Sequence, residues 1–478
     1  MLLPGIVISE IRFTLYHMDH LLMSRLIIKN DCSLCIDIYH RDSRIRGFMG
    51  SSDMNTIEMD IPGKKAPEEI QGPYSLVAGA YALGLMMSPD NLALLGQLTG
   101  HFGYYAFLLI AGALVLYLIY ARSHTQLSAH CGNFTDTWFA FYPLIVRILT
   151  AVLVATGLTV SSGFVFNEVF VYWFPNFAFA FIMLGLVGVL NFLGPAARAR
   201  AQIIFLGTAI SGLVLLTAIG LAKGPFLETL PNAPDHAITL PWLFLPLLLF
   251  VGFDMGLPSG RYSVSRHNVS VVAVKTAMAL FGMLIILWSI AMALHVPSER
   301  LMSTSIAHMI AARHISGQTG RIIMGVVVIC GSLAAVNALF ESVIRMTATL
   351  QQQLLPRMIA LPKAVVGLVV VGTSVLLAIG FAGEEMLETW IRTAMLLWLV
   401  GYGMLSMRLA TRSPSTGSSL PMRSKTSLLV AAATSFSGTA ILVLTDAQVV
   451  LMFKIILAVI GLTLILGAIG KWHAEAHA

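Results

Sequence analysis

The sequence predicts an all-α polytopic membrane protein with twelve transmembrane helices. Three observations carry that prediction: 57% of the 478 residues are hydrophobic and only 11% are charged; the apolar residues gather into span-length runs; and the basic residues recur in every second loop between them. A soluble domain carries roughly 25% charged residues. This chain, with a mean hydropathy of +0.84, lacks the charge to keep a globule in water, so its solvent is lipid.

A helix needs about 20 largely apolar residues to cross the hydrocarbon layer. Runs of that kind occupy 74–96, 102–121, 137–164, 174–194, 200–222, 240–258, 268–295, 319–350, 363–382, 388–409, 426–445 and 447–470. Lys and Arg in short loops set orientation. Arg122, Arg198, Arg200, Arg261, Arg266, Arg345, Arg357, Lys363, Arg408, Arg412, Arg423, Lys425 and Lys471 fall on one side, with Lys64 and Lys65 before the first run. The other side holds Lys223, Arg300, Arg313, Arg321 and Arg392 among Glu168, Glu228, Asp235, Glu299, Glu384, Glu385 and Asp446. The expectation is an inner-membrane protein with both termini in the cytoplasm. A net charge of +6, spread over loops rather than gathered in a patch, argues for this topology and against nucleic-acid binding.

Residues 1–73 read as a polar, mostly disordered cytoplasmic tail with one apolar patch near Leu21–Ile28; Met49 or Met54 is a plausible natural start, which leaves residues 1–48 open. Units of five spans follow at 74–223 and 240–410. A Ser/Pro/Thr-rich linker at 411–425 sets off spans 11 and 12 (426–470) as an appendix, before a short tail at 471–478. Cys32 and Cys35 form a lone CxxC without the second pair a zinc site needs; with Cys131 and Cys330 they read as free thiols, and no cofactor is expected. Thirteen histidines include no HxxxH or HExxH pair within a helix, and no GxxxxGK[ST] loop occurs.

Chemistry is expected where spans are interrupted, because a broken helix offers bare N–H and C=O groups that replace a solute's hydration. Span 1 carries Gly79, Gly84, Pro89 and Asp90; span 6 carries Pro246, Gly252, Gly256 and Pro258. Lying five spans apart, the two open units that run in opposite directions. A single membrane glycine usually serves close packing; the paired breaks, each followed by an acid, point to a binding site. Ionisable residues at membrane depth are costly and become functional candidates. Asp90 and Asp254 flank the breaks, where each reads either as a binder of an ammonium or a proton, or as a cap on a half-helix. Arg147, inside span 3, reads as a partner of one of these acids or of an anionic substrate, or as a side chain snorkelling to the edge. Glu341 and Arg345 stand at i and i+4 and read as a structural pair. Asn337 reads as a ligand or as a bond to a neighbouring helix.

The run "LPLLLFVGFD" (245–254) resembles the sixth span of the amino acid–polyamine–organocation permeases. "VLNFLGPAARARAQ" (189–202) is similar to that family's turn between spans 4 and 5, and 331–359 is similar to its eighth span and exit. The resemblance covers about residues 74–470. It implies a leucine-transporter-type 5+5 inverted repeat plus two C-terminal helices, with helices 1 and 6 unwound around a solute. It further implies secondary transport, by symport or antiport, of a small amino acid or related amine, or alternatively of a polyamine or organic amine, and no catalysed reaction; a membrane channel is a more distant alternative. Gly84, Leu85 and Met86 then fall at the first break, and Phe250, Val251, Gly252 and Phe253 at the second, with Asn337 beside them; Asp254, Asp90 and Arg147 become coupling residues. The family's Gly-Ser/Thr-Gly at the first break is here Gly84-Leu85-Met86, which weakens the case for an ordinary α-amino acid. A lysine some relatives carry in span 5 corresponds to Ala209, and Ser332 is the one mid-span hydroxyl upstream of Asn337, which argues for proton coupling or exchange rather than sodium. The solute, the ion and a homodimer all stay open.

Overall fold

A computed structural model describes residues 71–130, 137–224, 239–257, 264–354, 361–383, 385–411 and 422–476. The readings of the tail before residue 71, of Cys32, Cys35 and Cys131, and of the linker between 412 and 421 lie outside them. The described chain is helical throughout. Ten of its helices are long and apolar enough to cross a membrane, and two further segments, one at each expected break, are interrupted.

The first interrupted segment is α1 (Gln71–Gly84), a turn, and α2 (Pro89–Phe102). Helices α3 (Ala106–His130), α4 (Thr137–Val169), α5 (Asn176–Leu193) and α6 (Pro195–Lys223) follow. Gly194 ends α5 at φ +116, a conformation that favours glycine, and Pro195 starts α6, so one dipeptide ends one helix and begins the next. The second interrupted segment is short: α7 (Leu240–Phe244), a 3-10 turn at Leu245–Phe250, and another at Phe253–Gly256. Then come α8 (Val264–His295), α9 (Ser298–Met302), α10 (Ala307–Leu354), α11 (Leu361–Ala378), α12 (Glu385–Thr411), α13 (Met422–Leu444) and α14 (Val449–Ala476). α10 is longer than the apolar run at 319–350 because a preceding helix joins it across a kink at Ser316 and Gly317.

Packing is arranged around α10, which lies against α6 and α4, while α1 lies against α8. Leu186, Val189, Phe192, Ile204, Leu457 and Ile465 stand exposed on α5, α6 and α14. On a soluble protein such a surface would drive association; against lipid tails it is the matching surface. The chain is a multi-pass membrane protein. α13 and α14 are less detached than the linker suggests: α13 packs along α12 and α14 along α4, and the Tyr120 hydroxyl on α3 donates to the carbonyl of Ala431 on α13 at 2.8 Å.

Candidate functional site

At the first break α1 ends in a turn through Leu85, Met86 and Met87, all at least 98% buried. Ser88 takes an extended conformation and caps α2, accepting the Asn91 N–H at 3.4 Å, and Pro89 follows. The proline lacks an N–H, and the serine oxygen serves one of the bare donors, so the chain restarts its helix here at small cost. Asp90 is not the cap. It stands exposed in the first turn of α2, where its charge complements the positive end of the helix. Asn91 does what no reading of its type suggests: its amide nitrogen lies 3.1 Å from the Leu85 carbonyl and 3.4 Å from those of Met86 and Leu249. One side chain thus binds two carbonyls of the first break and reaches across to the second.

At the second break the backbone never forms a full α-turn. Val251 donates back to Leu248 at 3.3 Å, and the chain then reverses at Gly252 with φ +94. A Cβ there would lie 2.8 Å from the Met255 methyl and 3.0 Å from Leu85 Cδ2, so glycine is needed both for the left-handed backbone and for the approach of the two breaks. Phe250, Val251 and Phe253 are completely buried. Phe250 and Phe253 pack on Tyr117 at 5.7 and 5.6 Å between ring centroids, and Phe253 on Tyr402 at 5.0 Å. Tyr117 donates to the Leu247 carbonyl at 2.7 Å, tying α3 to the 3-10 turn.

Asp254 follows the reversal, and Arg147 of α4 donates to its Oδ2. The Tyr402 hydroxyl of α12 donates to Oδ1 at 2.6 Å and accepts the Gly252 N–H at 3.1 Å. Arg147 is 8% exposed and Asp254 5%, so this is a buried pair and not a snorkelling arginine. The guanidinium carbon lies 5.3 Å from the Trp398 ring centroid, within cation–π range.

A second buried cluster joins α1, α6 and α10. Glu341 accepts from Arg198 at 2.5 Å and from Arg345 at 2.7 Å. Arg198 also donates to the Asn191 carbonyl at 3.0 Å, and Arg345 to that of Met255 at 3.3 Å while lying 4.7 Å from the Tyr81 ring centroid. Asn337 belongs to this cluster, donating to Gln202 at 2.8 Å and to the Arg198 carbonyl at 3.2 Å. Gln202 in turn donates to the Ala80 carbonyl at 2.9 Å. Gly84 is a contact point here: an added Cβ would meet Ala338 Cβ at 2.6 Å and Gln202 Nε2 at 2.8 Å. Arg198, counted with the loops by its place between runs, is buried in the first turn of α6, because Pro195 starts that helix earlier than the apolar pattern does.

The residues expected at the site therefore divide. Leu85, Met86, Phe250, Val251, Gly252, Phe253, Asp254 and Arg147 converge where the breaks meet, whereas Gly84 and Asn337 serve the second cluster. Tyr117, Tyr402, Trp398 and Asn91 join the site without a sequence signal of their own. A cavity of about 380 Å³, bordered by Tyr142, Leu397, Thr439, Ile456 and Thr463, is apolar, and neither break contributes to its lining.

No protein-family model and no curated protein matches the chain. Solved structures do. A manganese transporter from Eremococcus coleocola, in complex with an aromatic bis-isothiourea substituted compound, superposes with a TM-score of 0.55 over 90% of this chain and 100% of that one, at 11% identity. Two variants of that transporter superpose at 0.53 and 0.54, each over 87% of this chain and 98% of theirs, at 12% identity. The chain has the fold of a membrane transporter. At that identity the likeness is one of fold alone, and function has to be argued from the site.

Proposed function

We propose that the protein is a secondary active transporter for a small amino acid or a related amine, working by alternating access around its two interrupted segments and catalysing no reaction. The observation that carries this is the meeting of the breaks: Leu85 against Gly252, Asn91 against Leu249, with the buried Arg147–Asp254 pair alongside. Such a place offers backbone groups outside the helical ladder, held by the Asn91 and Tyr402 side chains, and a buried charge pair, groups a polar solute can take up in exchange for its water. In this reading each interrupted segment crosses the membrane, giving twelve spans. The first ten form a 5+5 inverted repeat of the amino acid–polyamine–organocation type, in the cytoplasmic membrane with both termini inside. The Arg198–Glu341–Arg345 cluster then lies on the cytoplasmic side and holds α1 against α6 and α10, closing that exit.

Uptake into proteoliposomes tests the reading. A labelled amino acid mixture should accumulate and be competed by unlabelled members, with a proton gradient raising the rate for a symporter or internal amino acid raising it for an exchanger. Failure of every amino acid and amine to enter or compete would overturn it. The structural neighbours favour a second reading, transport of a divalent metal such as manganese. Against it, no three His, Cys, Asp or Glu side chains stand together among the described residues, and Arg147 puts a positive charge where the cation would sit. Manganese uptake in the same vesicles decides between the two.

A further inference from the structure

We propose that Arg147 and Asp254 are the two groups that recognise a zwitterionic solute, each occupying the place of the solute's opposite charge while the site is empty. The proposal rests on the transport reading above and narrows it to solutes that carry both charges. A solute's carboxylate would take over Arg147 and its ammonium would take over Asp254, so the pair opens and the solute closes it again.

Three observations carry this. Asp254 stands in the turn that begins at Gly252, on backbone that is not part of an α-helix and is therefore free to shift without breaking an α-helical ladder. The two halves come from different elements, α4 and the second interrupted segment, so separating them requires only a small change between packed parts. Arg147 is also under-used. Its guanidinium has five N–H donors in a planar fork, yet among the described residues it donates to Asp254 alone and otherwise lies against the face of Trp398. Arg198 and Arg345, equally attached to an acid, each donate to a backbone carbonyl as well. A buried guanidinium with open donors beside an aromatic face is a ready seat for a carboxylate, which matches the fork with two parallel bonds. Asp254 keeps the Tyr402 hydroxyl when Arg147 leaves it, so it accepts an ammonium without first losing every partner.

Charge counting then selects the solute class. An amine without a carboxylate that captures Asp254 strands Arg147 as a buried, unpaired cation. A carboxylate without an amine strands Asp254. A divalent cation at Asp254 faces Arg147 directly. Only a solute with both charges leaves neither group alone, and stranding one partner of a buried pair weakens binding by about 100-fold or more.

The test uses full-length protein in lipid nanodiscs and three matched sets: alanine with ethylamine and propionate, leucine with 3-methylbutylamine and 4-methylpentanoate, phenylalanine with phenethylamine and 3-phenylpropionate. Binding is read by calorimetry and uptake in proteoliposomes. At least one amino acid should bind, with its two single-charge analogues weaker by about 100-fold. R147Q should reverse the order in favour of the amine, because Asp254 is then free. The double variant R147Q/D254N keeps a hydrogen-bonded pair of similar shape without charge; it should remain folded by size exclusion and circular dichroism and bind none of the nine compounds. An analogue that binds as tightly as its amino acid, or a double variant that still binds the amino acid, overturns the proposal. Uptake of amines in preference to amino acids would overturn it while leaving the transporter reading standing. Absence of binding and uptake for all nine compounds, by folded protein, would remove both.

Discussion

The two buried ion clusters are built from the same chemistry and differ in how completely it is used. Around Glu341, one carboxylate holds two arginines, and each arginine finds further support in a backbone carbonyl, with Tyr81 lying beside Arg345. Around Asp254, one carboxylate holds one arginine and one tyrosine, and among the described residues the arginine donates to nothing else. A network satisfied at every member stiffens what it joins, whereas a partly satisfied one is poised to change partners. The Glu341 cluster reads as scaffold and the Asp254 cluster as site.

Four substitutions sharpen or break that contrast. Glu341→Gln should have the largest effect, because it takes the shared carboxylate from the buried Arg198 and the partly buried Arg345 at once. A loss of about 3–5 kcal/mol, read by thermal unfolding in lipid or as failure to assemble, is the size expected when a buried ion pair loses one partner. Asp254→Asn strands a single arginine that retains the Trp398 face, and should cost less, about 3 kcal/mol, while abolishing transport. If Asp254→Asn proved the more destabilising of the two, the assignment of scaffold and site would be reversed. Gly252→Ala forces a side chain onto a left-handed backbone and against Leu85, at about 1–3 kcal/mol, and should slow uptake more than it lowers stability. Tyr402→Phe should be mildest in stability, about 1 kcal/mol for the hydrogen bonds lost. Its uptake rate should still fall, since Asp254 loses the partner it keeps while Arg147 is away.

Much of the architecture was legible because the membrane imposes it. A run such as 200–222 or 447–470 has to be apolar for the length of a span, and the structure places α6 and α14 there. The two interruptions were legible because glycine and proline gather at 84–89 and 246–258, where helices can be surrendered. The Glu341–Arg345 pair follows from i, i+4 spacing on one helix. What the sequence hides is long-range partnership. Arg198 reaches Glu341 across 143 residues, and no local pattern distinguishes it from an arginine that merely faces the cytoplasm. Tyr402 is one tyrosine in an apolar helix, and Asn91 one amide after a proline; each acquires its role only when another segment's backbone comes within reach. Gly84 shows the converse. Its position at a break suggested a seat for a ligand, but the tight approach of Ala338 and Gln202 assigns that space to helix packing.

One oxygen atom has a mechanical consequence. The Tyr402 hydroxyl is bonded to the turn at Gly252 and to the carboxylate of Asp254 at once, so α12 registers any swing of that acid. Near the opposite end of the same helix, Arg392 is moored to Asp446, in the turn between α13 and α14, and to Glu388. A rod pinned near one end and tugged towards the other pivots, which makes α12 a lever arm between the membrane's interior and its rim.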